Sequence, residues 1–400
     1  MIGRPVYIQQ LRDYRDRKII KVVTGIRRCG KSTLLELFKE ELLGTGILPS
    51  QMISLNFEDY SLRHLRNPGA LHEYIVSKLV PAKMNYVFLD EVQHVENYSE
   101  VLDSLFIRDN VDLYVTGSNA YLLSSEIATY ISGRYIEIRM LPLSFKEYVS
   151  AVPSGTGLSG IYGRYLQTGG FPYGLELKEH NVREYLENIY NTVILKDVIS
   201  RNRIADPMML ESVVRFIFDN IGNTTSIKNI SSTMTSGGRK IENKTVEKYL
   251  NALIESFVIY KAERFDIKGK EYLKTLQKYY VVDPGLRAAI LGGRSFDSGH
   301  ILENVIYLEL LRRGFKVYVG KIGNTEVDFV ARNARGLEYY QVSATVRGED
   351  TLQRELTPLK AIKDNYPKTI LTLDDDPDAD YDGVRRVNAL SWLLESESSS

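Results

Sequence analysis

The sequence predicts an α/β protein: a parallel sheet with helices on both faces, then a helical region in winged-helix order, then a small α/β domain. Three observations predict the leading part. Apolar β-branched strands alternate with helical periodicities through the first half of the chain. The strand over residues 19–23 runs into Gly25-Ile26-Arg27-Arg28-Cys29-Gly30-Lys31-Ser32, which has the spacing G-x-x-x-x-G-K-[ST] of a phosphate-binding loop. Further on, Tyr86-Val87-Phe88-Leu89 ends in Asp90-Glu91, a buried strand carrying two acids at its tip.

The loop's chemistry requires this order. Gly25 and Gly30 let the backbone curl so that its N–H groups face phosphate oxygens. Leu34, Leu35, Leu37 and Phe38 recur at helical spacing after the loop, so a helix N-terminus adds partial positive charge there. The expected cradle is Gly25 to Thr33 and its ligand ATP or ADP, with Lys31 on the β- and γ-phosphates of ATP and Ser32 on Mg²⁺. Residues 52–57 form a second strand, and Pro68 opens a helix. On the third strand Asp90 holds Mg²⁺ and Glu91 polarises water as general base. Residues 111–116 form another strand ending Gly117-Ser118-Asn119. Ser118 and Asn119 either sense the γ-phosphate or cap a helix over residues 121–130. Arg134, before a fifth strand at 135–140, is either an arginine finger or a solvated charge. Pro142-Leu143-Ser144-Phe145 then opens a helix containing Glu147.

Composition bounds the rest. The 400 residues are 44% hydrophobic and 26% charged, in the ordinary globular range and long enough for two or three domains. A formal net charge of zero means that any nucleic-acid surface is local. One cysteine, Cys29, excludes an internal disulfide and a cysteine zinc site. With no signal-peptide pattern and no apolar run of membrane-spanning length, the expectation is a cytoplasmic protein without a membrane partner.

The order GIRRCGKSTLL, NFED, VFLDEVQ, VTGSN, SGR and PLSFKEY resembles the AAA-type ATPases of bacteria and archaea. It is similar in particular to the group whose second half is a C-terminal domain of unassigned function, which Gly169-Gly170-Phe171-Pro172 and Lys196-Asp197-Val198 also match. The resemblance implies a P-loop AAA-like fold, ATP and Mg²⁺ as cofactors, and a homo-oligomeric ring.

The expected divisions are an ATPase domain at 1–152, a helical lid or connector at 161–205, a winged-helix-like domain at 206–285, and a last domain at 286–400, with a flexible linker at 153–160. Residues 181–201 read as one amphipathic helix, on which Arg201 either contacts nucleotide or is solvated. Helices at 211–221, 226–235 and 243–255, with wing strands at 257–260 and 279–282, give the winged-helix order. Its third helix would enter a DNA major groove. Arg239, Lys240, Lys244 and Lys248 are the candidate DNA contacts. Yet residues 208–268 hold nine basic and seven acidic side chains, so packing between domains or subunits remains the other reading.

Residues 299–343 resemble the PD-(D/E)xK nucleases: Glu303 on a helix, Asp328 on a strand, then a neighbouring strand. In that family an acid and a lysine on the third strand complete a metal site. Here those positions hold Gln341 and Ser343, which implies the nuclease fold without ordinary nuclease activity. Nothing in the spacing brings Lys316 or Lys321 into the missing role. The acidic run from Asp374 to Asp382 reads as a solvated turn-rich loop, since its spacing is not that of an EF-hand.

Overall fold

A computed structural model describes residues 2–120, 133–153, 157–292 and 298–395. The chain divides into two compact units. Met1–Leu141 with Glu255–Phe257 form the first, and Pro142–Ile254 with Val258–Ser400 form the second. The division falls at Leu141/Pro142, ahead of the expected linker at 153–160, so the helix Phe145–Ala151 belongs to the second unit.

The first unit is built on strands β1 (Ile20–Thr24), β2 (Met52–Asn56), β3 (Asn85–Asp90), β4 (Val111–Gly117) and β5 (Tyr135–Arg139). They form one sheet in the order β2-β3-β4-β1-β5, and every pairing is parallel. β1, β3 and β4 are buried throughout, which explains their continuous apolar runs. Ile20 and Val22 of β1, Val87 and Leu89 of β3, and Leu113 and Val115 of β4 share one core with Leu71, Ile75, Leu102 and Leu105 from covering helices. Phe38 and Phe88 pack on Tyr114 with ring centroids 5.3 and 4.8 Å away. One polar pair sits within the sheet: Lys21 is fully buried on β1 and ion-paired to Asp112 of β4, which also accepts from Tyr114 Oη at 2.8 Å. A buried charge is tolerated when paired and hydrogen-bonded in this way.

The second unit begins with helices. Ser144 caps Phe145–Ala151, accepting from Glu147 N while the Glu147 carboxylate accepts from Ser144 N, a reciprocal capping box. The expected long helix at 181–201 is continuous but not uniform: α-helix at Glu179–Ile189, a π-helical stretch at Tyr190–Val198, and α-helix again at Ile199–Asn202. Three helices come next, Pro207–Asp219, Ile227–Ser236 and Asn243–Glu255. The remaining strands are β6 (Ile259–Asp266), β7 (Glu271–Val281), β8 (Lys316–Ile322), β9 (Thr325–Asn333), β10 (Gly336–Ser343), β11 (Lys368–Thr372), β12 (Ala379–Asp380) and β13 (Val384–Asn388).

These eight strands make one sheet, β12-β13-β11-β10-β9-β8-β6-β7. The β6–β7 hairpin, expected to stand apart as a wing, therefore joins the later strands through parallel pairing of β6 with β8. A boundary at 285/286 does not separate two sheets. Asp374, expected in a solvated loop, is buried and accepts from Val346 N at 2.8 Å. Among the described residues no helix is long and apolar enough to cross a membrane.

Candidate nucleotide site

The loop leaves the C-terminal end of β1 and enters the helix Lys31–Gly44. Gly25 and Gly30 have φ of +150° and +103°, and Gly30 stands at the N-cap of that helix. A Cβ on Gly25 would lie 2.1 Å from the Met140 carbonyl oxygen, so close backbone approach as well as φ demands glycine there. Ser32 and Thr33 are exposed at the helix start, Ile26 and Cys29 are buried, and Arg28 is exposed with φ of +70°. Arg27 reaches Glu58 at 2.5 Å.

Lys31 is 4% exposed and donates to the carbonyls of Gly25 at 3.2 Å and Ile26 at 3.4 Å. Its Nζ lies 3.5 Å from Glu91 Oε1. The two acids come from the tip of β3, which the topology separates from β1 by β4; they do not lie on a strand adjacent to the loop strand. β4 supplies the connection. Thr116 donates its hydroxyl to Asp90 Oδ1 and accepts from Glu91 N at 2.9 Å. Asn56 of β2 donates to Asp90 Oδ2 at 3.1 Å.

Glu91 has φ of +53° and ψ of +48°, so the chain turns sharply at its Cα. Its Oε2 accepts from Ser118 Oγ at 2.7 Å and from Gln93 Nε2. Burial pushes the Asp90 carboxyl above its ordinary range, against hydrogen bonds from Ser32 and Thr116. Burial pushes Glu91 the same way, but the Lys31 charge and hydrogen bonds from Ser118 and Gln93 outweigh it and hold Glu91 low. Two carboxylates side by side are thus tuned in opposite directions.

Ser118 and Asn119 are 8% and 7% exposed; the helix they were expected to cap, at 121–130, lies outside the described residues. Arg134 needs correction as a finger for its own chain. Its carbonyl accepts from Ile20 N at the N-terminal end of β1, opposite the loop, and its guanidinium pairs with Asp103. The β5 arginine at the loop end is Arg139, whose Cα is the register partner of Thr24. Arg201 is exposed on its short helix.

Sequence reasoning also missed Arg4. It is 3% exposed, and it donates to the Cys29 carbonyl at 3.1 Å and the Leu141 carbonyl at 2.7 Å, clamping the loop from below. Pro at the first position of the helix Pro5–Asp13 was the local signal that fixed where Arg4 sits.

In the second unit, Glu303, Asp328 and Ser343 line a cavity of about 620 Å³ with Glu326 and Glu355, while Gln341 lies outside its lining and accepts from Asp328 N at 2.7 Å. The residue missed there is Lys278 of β7, which reaches Glu303 at 2.9 Å and Glu326 at 2.8 Å. Burial, with the Glu303 charge next, raises the Asp328 carboxyl to about 7 despite Lys278. Neither Lys316 nor Lys321 lines this cavity. Of the expected DNA contacts, Lys240, Lys244 and Lys248 are exposed, whereas Arg239 donates to the Met208 carbonyl and Ser212 Oγ at 3.0 and 2.7 Å.

Residues 17–149 match the AAA domain family, and residues 160–297 match a domain of unknown function (DUF8612). A Haemophilus influenzae protein described as uncharacterized is 39% identical over 399 residues, 99% of each chain. An uncharacterized protein of Methanocaldococcus jannaschii is 28% identical over 382 residues, 89% of this chain and 82% of that one. In fold, the chain is similar to the Walker-type ATPase of Pyrococcus abyssi, with TM-score 0.51 and 17% identity over 73% of this chain and 96% of that one.

Proposed function

We propose, from the premise that this chain belongs to the family of the 39% identical Haemophilus influenzae protein and carries an AAA domain, that it is an ATP hydrolase acting on a macromolecule. The observation that carries this is the meeting of Lys31, Asp90 and Glu91 at one loop. ATP fits the loop because Ser32 and Thr33 are exposed at the helix start and the backbone curls at Gly25 and Gly30, where a triphosphate offers acceptors to N–H and hydroxyl groups. Magnesium fits Ser32 and Asp90, a hard-oxygen pair whose side chains hydrogen-bond in its place. When bound, the ion supplies charge neutralisation on the β- and γ-phosphates.

The chain's own residues do the remainder. Lys31 exchanges two loop carbonyls and the Glu91 carboxylate for phosphate oxygens. Glu91, released from that pair but still held by Ser118 and Gln93, accepts a proton from the attacking water. Burial, no longer opposed by the Lys31 charge that holds Glu91 low, then raises the carboxylate and makes it a better proton acceptor. Ser118 and Asn119, which follow β4 directly, are the proposed γ-phosphate sensors, a reading supported by the hydrogen bond from Ser118 to Glu91.

DNA is the macromolecule this reading favours. Three helices followed by a hairpin support a winged-helix order, and Lys240, Lys244 and Lys248 are free of the packed face. A second reading, a slowly cycling switch that acts through protein partners, is favoured by one observation: Lys31, Ser118 and Gln93 all engage Glu91 and must let it go before it can act as a base. Calorimetric titration of Mg-ATP tests the site itself. Lys31→Ala loses most of the affinity of the parent; unchanged affinity removes Lys31 from the phosphates.

A further inference from the structure

The nuclease resemblance implies a divalent ion among Glu303, Asp328 and a third-strand acid. The residues present do not fit one. Lys278 is 3% exposed, and its ammonium sits 2.9 Å from Glu303 Oε1, 2.8 Å from Glu326 Oε1 and 3.6 Å from Asp328 Oδ1. A divalent ion must approach carboxylate oxygens to about 2.0–2.6 Å. An ion that close to these oxygens would meet the ammonium charge in the same small volume.

The other donors are committed as well. Glu303 Oε1 also accepts from Tyr280 Oη at 2.6 Å, and Asp328 Oδ2 accepts from Val342 N at 2.9 Å. Gln341, at the position of the expected third acid, accepts from Asp328 N at 2.7 Å and donates to Glu355 Oε2 at 2.7 Å. Its amide therefore holds the Asp328 main chain and the Glu355 carboxylate. Among the described residues, no group of three or more His, Cys, Asp and Glu side chains is arranged to hold a metal ion.

We infer that the Lys278 ammonium is the resident cation of this cavity, occupying the place that the nuclease-like fold gives to a divalent metal. β7 delivers it from the hairpin that joins the far edge of the sheet, outside the stretch in which the resemblance looks for a lysine. A buried ammonium paired to three carboxylates offsets part of their mutual repulsion from within the protein, the role a metal ion would otherwise take. Removing the ammonium turns the same carboxylates into a metal site. The inference concerns the second unit alone, and it stands or falls independently of ATP hydrolysis.

The test is Mn²⁺ titration by calorimetry of the full chain without nucleotide, paired with melting curves. The parent and Asp328→Asn take up Mn²⁺ identically, any uptake at the phosphate loop being common to both. Lys278→Met melts lower than the parent, binds one further Mn²⁺, and recovers melting temperature as Mn²⁺ is added. If Lys278→Met does not fold, the comparison of parent with Asp328→Asn decides alone. Mn²⁺ binding in the parent that Asp328→Asn abolishes overturns the inference, as does a folded Lys278→Met that gains no Mn²⁺.

Discussion

Replacing Arg4 by alanine would orphan the buried Cys29 and Leu141 carbonyls, one on the phosphate loop and one at the end of the first unit. Each unpaired buried acceptor costs about 1–3 kcal/mol. Arg4→Ala should therefore lower the melting temperature and weaken ATP binding together; an unchanged melting curve would deny the clamp. The residue scale is also where legibility in sequence was most uneven. Lys31, Asp90 and Glu91 were readable because the motif itself states the chemistry. Arg4 and Lys278 were not, because each acts across a long sequence separation on partners that no local spacing reveals. The place of Arg134 was not legible either. A strand has two ends, and sequence alone did not say that its arginine lies at the end away from the loop.

At the scale of elements, Gly169-Gly170 acquires a physical account. Asp283 caps the helix Pro284–Leu291 through Leu286 N at 2.8 Å and also accepts from Gly170 N at 2.6 Å. A Cβ on Gly170 would stand 2.4 Å from the Leu143 carbonyl, and one on Gly285 would stand 2.2 Å from Gly169 N. Three backbone segments thus meet too closely for side chains. Burial, opposed by those backbone hydrogen bonds, raises Asp283 from 3.8 to about 6. The folded state then holds the proton more tightly than the unfolded chain. Its contribution is greatest at low pH and is lost as pH rises through about 6. Melting the parent beside Asp283→Asn across that range should show the parent losing ground as pH rises, by roughly 1–3 kcal/mol. A difference that is flat with pH would contradict the buried cap. Most elements were legible from periodicity and caps. The π-helical stretch was not, because neither propensity nor caps report a change to i→i+5 hydrogen bonding inside a continuous helix. Nor was the merging of hairpin and later strands into one sheet, since pairing of β6 with β8 joins segments far apart in sequence.

For the whole molecule, an AAA-type ATPase fold is joined to a second unit of helices and one mixed sheet, and DNA or protein is its proposed partner. Stimulation of ATP turnover by duplex or single-stranded DNA, fading as salt rises, is the expected signature of a DNA partner. No response to either form would favour the protein-directed switch. Beneath both readings lies one claim, that Glu91 is the base for water held against a phosphate on Lys31. The most direct measurement is steady-state turnover of Glu91→Gln at saturating Mg-ATP. The account predicts a loss of about a hundredfold or more with ATP affinity retained; turnover equal to the parent would contradict it.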